Sequence, residues 1–381
     1  MERAGILRRR EESYIDYSLI FIILFLLAFG LIMLYSTSSY EANLDFGDSA
    51  YYFKHQLFPT LLGLVGMIIM SYIPYKILSK FAMPIYVAAA AMLVLIIPFG
   101  KTINGAKRWI YIMGVSIQPA EIAKVAAIVF TATIIMKLRK NLMSPRGFAA
   151  ALIFPTILAG MVYIITRNLS SAIIIMGITI IMLFVSTPGY KRYIIFVVAV
   201  LALAAALVLI IASSEQTSGM NYRFERVLAW LDPAAHASGK GFQTLQALYA
   251  IGSGGVFGKG LGESMQKMGF IPEAQNDMIF SIICEELGLF GAIAVMLMFL
   301  LMIWRLMIIA NNAPDMFGAL LVVGVMAHIA IQVILNIAVV TNTIPNTGIT
   351  LPFISYGGSA VIIQLAEMGI TLNVARNIGR D

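Results

Sequence analysis

The stretch Pro272-Glu-Ala-Gln-Asn-Asp277 runs straight into Met278-Ile-Phe-Ser-Ile-Ile-Cys284 and on through an apolar run to Ile303. Such a run is long enough to cross a membrane, because a hydrocarbon core about 30 Å thick takes roughly 20 apolar residues of helix. The six residues before it put two carboxylates, Glu273 and Asp277, at the membrane–water boundary. Asp is favoured at helix N-termini, so one reading of Asp277 is a helix cap. The other is chemistry on a substrate that is part lipid and part polar.

The same apolar signature recurs along the chain. Of the 381 residues, 60% are hydrophobic and 12% charged, far from the balance of a soluble globule. Ten apolar segments stand out, at 17–36, 56–75, 82–99, 118–136, 147–165, 169–186, 192–212, 278–303, 316–340 and 358–374. These predict an all-α polytopic membrane protein with ten transmembrane helices. The first segment is too long for a signal peptide and lacks a small-residue cleavage site. With the N-terminus cytoplasmic, the inner segments hold 15 Lys/Arg: Arg3, Arg8, Arg9, Arg10, Lys76, Lys80, Lys137, Arg139, Lys140, Arg146, Lys191, Arg192, Arg305, Arg376 and Arg380. Against them the short outer loops hold five: Lys54, Lys101, Lys107, Arg108 and Arg167. That bias sets both termini inside. The chain then reads as one membrane domain over 1–381. It has a cytoplasmic segment at 1–16, a large extracellular loop at 213–277 between the seventh and eighth spans, and a cytoplasmic tail at 375–381.

The net charge of +7 comes with no basic stripe interleaved with aromatics, so no nucleic-acid partner is expected. The single cysteine, Cys284, excludes an internal disulfide and any multi-cysteine metal site. No His/Asp/Glu cluster has zinc-like spacing.

Three outer loops are too long to be plain connectors: 100–117, 213–277 and 341–357. The second carries short apolar patterns, Val227, Leu228, Trp230, Leu231 and then Leu245, Leu248, Tyr249, Ile251, read as short interfacial helices. Its glycine run, Gly252 to Gly262, suits either a phosphate cradle or a flexible hinge; it is not a P-loop.

Ionisable groups within spans are costly and therefore candidates for function. Glu121 and Lys124 share a helix face and can pair, either as a structural tie or with Lys124 meeting a phosphate. Glu285 and Glu286 fit helix packing better than catalysis. His328, Gln332 and Asn336 recur every four residues as one polar stripe, read first as inter-helix hydrogen bonding and second as a substrate lining. Arg108, Arg223, Arg226, Lys240, Lys259 and Lys267 fall on the outer side, where topology does not require them, and Arg suits bidentate phosphate binding. Lys267 reads as a solvated bystander.

Several motifs together resemble the SEDS family (shape, elongation, division and sporulation), the FtsW/RodA group of bacterial cell-wall polymerases. They are Asn104-Gly-Ala-Lys-Arg-Trp109, Gln118-Pro-Ala-Glu-Ile-Ala-Lys124, Tyr222-Arg223 with Arg226, and Gln243-Thr-Leu-Gln246. Four more follow: Ala250 through Gly260, Pro272 through Asp277, Glu285-Glu-Leu-Gly288, and Pro352-Phe-Ile-Ser-Tyr-Gly-Gly-Ser359. They run in order through nearly the whole chain. The Pro-Asn-Thr-Gly run and Ala366-Glu-Met-Gly-Ile370 look more like the division type or its sporulation relative than the elongation type. One departure stands out: Asn168 replaces an acid the family often carries, which puts that acid's role in binding or metal coordination in doubt here.

The resemblance implies a peptidoglycan glycosyltransferase at the outer face of the bacterial cell membrane, with a place at the division septum. Its substrate would be lipid II, added to an undecaprenyl-linked glycan strand through an inverting β-1,4 transfer. Asp277 matches the family's essential acid and would be the general base. Arg108, Lys124, Glu121, Arg223, Arg226, Gln243, Glu273 and Ser355 would bind substrate. A divalent cation, Mg or Mn, is compatible with the pyrophosphate leaving group, though no ligand set is assigned. A class B penicillin-binding protein and other division or elongation proteins would be partners, with the apolar faces of the eighth and ninth spans as a docking surface. A lipid II flippase is the competing reading and a division scaffold the third. Against transport stands the missing inverted repeat.

Overall fold

The computed structural model describes residues 16–103, 106–112, 115–212, 222–237, 239 and 241–378. The described chain is built from helices α1 (Tyr17–Phe46), α2 (Tyr51–Tyr72), α3 (Lys76–Lys80) and α4 (Ala82–Phe99), then strands β1 (Lys101–Ile103), β2 (Ala106–Ile112) and β3 (Val115–Ile117). After these come α5 (Pro119–Leu138), α6 (Pro145–Thr166), α7 (Leu169–Ser186), α8 (Lys191–Ala212), α9 (Tyr222–Leu231), α10 (Gly241–Gly254), α11 (Ile279–Asn311), α12 (Met316–Val340) and α13 (Gly358–Arg376).

Among the described residues, nine helices are long and apolar enough to cross a membrane. The seventh expected segment, 192–212, falls on α8, a 22-residue helix. Burial sorts the spans. In the most apolar window of each, 78% of α5, 72% of α13 and 67% of α12 is buried, against 28% of α2, α4 and α6. The first three therefore form the centre and the others face outward. Small residues explain the position of α5: Ala120, Ala123, Ala126, Ala127 and Ala132 are all buried and let neighbouring backbones approach closely.

Ion pairs fasten one end of the bundle. Asp16 caps α1 by accepting from the Leu19 amide at 3.0 Å and pairs with Arg305 at 2.8 Å. Asp315 caps α12 through the Gly318 amide, accepts from the Tyr75 hydroxyl at 2.7 Å and pairs with Lys76 at 3.3 Å. The segment before α1, α3, the C-terminal part of α11 and the start of α12 thus carry these ties.

Two sequence expectations need correction. The all-α reading missed a three-stranded antiparallel sheet, β1-β2-β3, which pairs Ile103 with Ala106 and Ile112 with Val115. Its signal was present: Asn104-Gly105 between β-branched and aromatic residues is a strong hairpin sequence. The helix that carries the first apolar segment is also longer than 17–36, because α1 continues to Phe46. Ser36, Thr37 and Ser38 broke the apolar run, yet all three are buried within the fold.

Candidate active site

Asp277 lies two residues before α11, at the end of the segment that follows α10. The capping reading fails, because the N-cap of α11 is Met278 and no side chain caps the helix. Half-buried, Asp277 takes part in no ion pair among the described residues. Burial pushes its carboxyl up to about 6; its own backbone N–H works against that, the Glu273 charge adds to it and the Arg226 guanidinium opposes it. At neutral pH the group is ionised yet ready to take a proton.

The 341–357 segment walls the site and is tied down from many directions. Gly348 adopts φ +69°, and a Cβ there would lie 3.8 Å from Asp277 Oδ2, so this backbone passes directly beside the carboxylate. Asn336 on α12 donates from Nδ2 to the carbonyls of both Asp277 (2.8 Å) and Ile349 (2.7 Å). Arg226 on α9 donates to the Asn346 carbonyl at 3.0 Å. Asn346 donates in turn to Gln243 Oε1 at 2.9 Å, and Gln243 on α10 donates to the Pro272 carbonyl at 3.0 Å. Further ties come from Ser170 on α7 to the Thr347 carbonyl, and from the Tyr356 amide to the Gln275 carbonyl. A cleft of about 200 Å³ opens between α9, α10 and this segment, lined by Arg226, Trp230, Phe242, Gln243, Pro272 and Asn346; Asp277 is not in its lining.

Of the residues read from sequence, the fold thus gathers Asp277, Arg226 and Gln243. Glu273 is exposed, with φ +51°, and accepts from Asn276 Nδ2 at 2.9 Å, closing the turn just before Asp277. The Arg223 side chain and Lys240 lie outside the described residues. Lys124 and Glu121 form a buried pair at 2.8 Å on α5, with Glu121 Oε2 left without a hydrogen-bond partner among the described residues. Arg108 sits on the inward face of β2, beside Ile110, and donates to the Thr166 carbonyl at 3.3 Å, at the C-terminus of α6. A cation is favoured at that position by the helix dipole. Ser355 is buried, and its hydroxyl accepts from the Leu351 amide at 2.8 Å, closing a turn within the 341–357 segment.

Other polar residues settle into structural roles. Lys267 is no bystander: it is buried, pairs with Glu286 at 2.7 Å and donates to Ser36 on α1. Glu285 pairs with Lys259 at 2.6 Å and accepts from Ser264. The glycine run is neither cradle nor hinge. Gly288 leaves helical geometry at φ 67°, ψ −163° and breaks α11. Lys259 and Gly260 donate to the freed carbonyls of Glu285 and Glu286, and Leu289 and Phe290 donate back to Gly255 and Val256. Irregular backbone at membrane depth needs internal partners of this kind. His328 bonds Glu367 on α13 at 2.8 Å, an inter-helix bond of the kind expected for the stripe, whereas Gln332 bonds Thr350 in the 341–357 segment at 3.1 Å. Asn168 caps α7, accepting from the Ser171 amide at 3.0 Å.

Asn346 escaped the sequence reading. Its signal was Pro345-Asn346-Thr347-Gly348, a turn sequence in which Asn346 Oδ1 accepts from the Gly348 amide at 3.0 Å. Among the described residues no three His, Cys, Asp or Glu side chains converge into a set that could hold a metal ion. These residues do not by themselves fit a divalent cation, and no step below depends on one.

Comparison with known proteins places this arrangement. The family model described as a cell cycle protein, covering FtsW, RodA and SpoVE, matches residues 17–379. Stage V sporulation protein E of Bacillus subtilis (strain 168) is 38% identical over 366 residues, spanning 95% of this chain and 97% of the relative. A probable peptidoglycan glycosyltransferase FtsW of Trichlorobacter lovleyi is 37% identical over 366 residues, spanning 95% and 93%. Among solved structures, a chain from a peptidoglycan synthase complex that coordinates polymerization and crosslinking superposes with a TM-score of 0.79. It is 26% identical and covers 97% of this chain and 100% of that one. The rod shape determining protein RodA of Thermus thermophilus shares the fold, with a TM-score of 0.68 at 24% identity over 96% of this chain and 98% of that one.

Proposed function

This chain belongs to the FtsW, RodA and SpoVE family, and from that premise we propose that it extends glycan at the outer membrane face with Asp277 as its general base. It is a multi-pass membrane protein and a peptidoglycan glycosyltransferase. The substrate would be lipid II, serving as acceptor, and the donor would be the growing undecaprenyl-linked strand. The acceptor 4-hydroxyl oxygen attacks C1 of the donor sugar and its proton passes to the Asp277 carboxylate. The C1–O bond to phosphate breaks, and undecaprenyl pyrophosphate leaves with the electron pair. One displacement inverts the α-linked donor to a β-1,4 bond. A single base suffices, because pyrophosphate needs no protonation to leave, whereas glycosidases use two flanking carboxyls. Arg226, with Arg108, Lys124 and Arg223, would supply positive charge toward the leaving group. Gln243, Glu273, Glu121 and Ser355 would shape the site around the substrate.

The observation that carries this reading is the state of Asp277. Its carboxylate is half-buried and, among the described residues, used neither as a cap nor in an ion pair, while Glu121, Glu285 and Glu286 are all paired with lysines. A transport reading finds one feature, the break at Gly288, but that gap is filled by backbone bonds from the same chain. We further assign the chain a crosslinking partner, a class B penicillin-binding protein, and a place at the septum.

The test is purified protein, with and without that partner, supplied with lipid II and assayed for glycan strands. Loss of polymer with Asp277→Asn is expected. Equal polymer from the variant would overturn the base, and lipid II crossing liposomes without polymer from either protein would favour transport.

A further inference from the structure

Asn336 spans two segments that share little sequence proximity. Its side chain is fully buried on α12, and its Nδ2 makes both of its bonds to backbone carbonyls at 2.8 and 2.7 Å. One carbonyl belongs to Asp277, 59 residues earlier; the other belongs to Ile349, adjacent to Gly348. Gly348 in turn is the backbone that passes beside the Asp277 carboxylate. A single NH₂ group therefore holds the residue that carries the carboxylate and the wall that faces it. Among the described residues Asn336 Oδ1 has no hydrogen-bond partner, so these two donations are the side-chain bonds it makes there. An amide is the neutral side chain best suited to this task, since it offers two protons in a fixed plane without burying a charge.

We propose that Asn336 is a positioning residue for glycosyl transfer, setting the separation and direction of the Asp277 carboxylate relative to the 341–357 wall through this paired donation. The inference rests on Asp277 as base. Asn336 touches neither substrate nor the transferred proton. Its effect runs through placement, to which proton transfer is sensitive because displacement of about 1 Å can cost about 100-fold in rate.

Gln332 supplies the control. It lies one turn away on the same face and bonds the same wall at Thr350, but makes no bond to Asp277. The measurement is steady-state polymerisation of lipid II by the full chain with its crosslinking partner, across pH 5 to 8. Asn336→Leu, close in shape and without donors, is expected to lower kcat by about 10- to 100-fold with KM within about twofold. Its acid limb should move to lower pH as the carboxylate gains water. Gln332→Leu should leave that limb in place. Asp277→Asn combined with Asn336→Leu should be no slower than Asp277→Asn alone, because one lost function cannot be lost twice. Should Asn336→Leu fail to fold, Asn336→Thr, which keeps one donor, should show the same changes at smaller size. Wild-type kcat and acid limb in the folded Asn336 variant, beside an inactive Asp277→Asn, would sink the positioning role and leave the base standing. The same limb shift from Gln332→Leu would reduce Asn336 to general packing. Full activity in Asp277→Asn would remove the base itself, and the inference with it.

Discussion

Asp277 and Glu286 stand nine residues apart on the approach to and first turns of α11, and the fold treats their charges in opposite ways. Glu286 is fully buried, and both of its oxygens are occupied, by Lys267 at 2.7 Å and Ser36 at 2.7 and 2.8 Å. Asp277 is only partly covered, has no ion pair among the described residues, and is held by its backbone carbonyl instead of its carboxylate. The region around Glu286 is fastened by a buried ion pair, and the region around Asp277 by hydrogen bonds made mostly to main chain, one of them from the Arg226 guanidinium. A carboxylate paired with a buried lysine can stabilise a fold but is poorly placed to accept a proton. One that is desolvated and left open costs stability and is free to react.

That contrast can be broken or sharpened by experiment. The largest effect is expected from Asp277→Asn, which should cut polymerisation by roughly 10²–10⁴-fold, the usual contribution of general base catalysis. Its melting temperature above pH 6 should be unchanged or raised. The folded-state pKa of about 6 lies above the ordinary 3.8, so the folded form binds the proton more tightly. The associated stability is present below the ordinary value and lost as pH rises through about 6, and Asn removes that charge burial.

Glu286→Ala should do the reverse, destabilising the protein by about 3–5 kcal/mol because Lys267 is left buried without its partner. Thermal unfolding in detergent checks this, and an unchanged midpoint would refute the structural role. Third, wild-type polymerisation should fall about tenfold per pH unit below about 6, as Asp277 takes up its proton. A flat profile down to pH 5 would remove Asp277 from the proton transfer. The smallest effect is expected from Asn168→Asp. Asp and Asn cap helices about equally, and added negative charge at the N-terminus of α7 should stabilise by no more than about 1 kcal/mol. A large gain in activity from that change would show that the acid does more than cap.

Much of this molecule was legible in the order of its residues. The apolar segments mark the helices at nine described spans and at α8. The polar residues were harder to read. Lys267 looked exposed and is buried, because Glu286 and Ser36, from two different helices, close around it. Gly252 to Gly262 looked flexible and is fixed, because Gly288 opens a gap in α11 that its backbone fills. Ser36, Thr37 and Ser38 looked like the end of a span and lie within α1.

Sequence alone determined the membrane class, the apolar helices and the likeness that points to glycosyl transfer. The bilayer imposes the first two locally, by requiring about 20 apolar residues per crossing. Only the tertiary structure decided which acid stays open and what holds it. Those choices depend on partners far apart in the chain, 59 residues for Asn336 and Asp277 and 250 for Ser36 and Glu286. A buried polar group takes its role from whatever the packing brings within about 3 Å of it, and hydropathy carries no information about that approach.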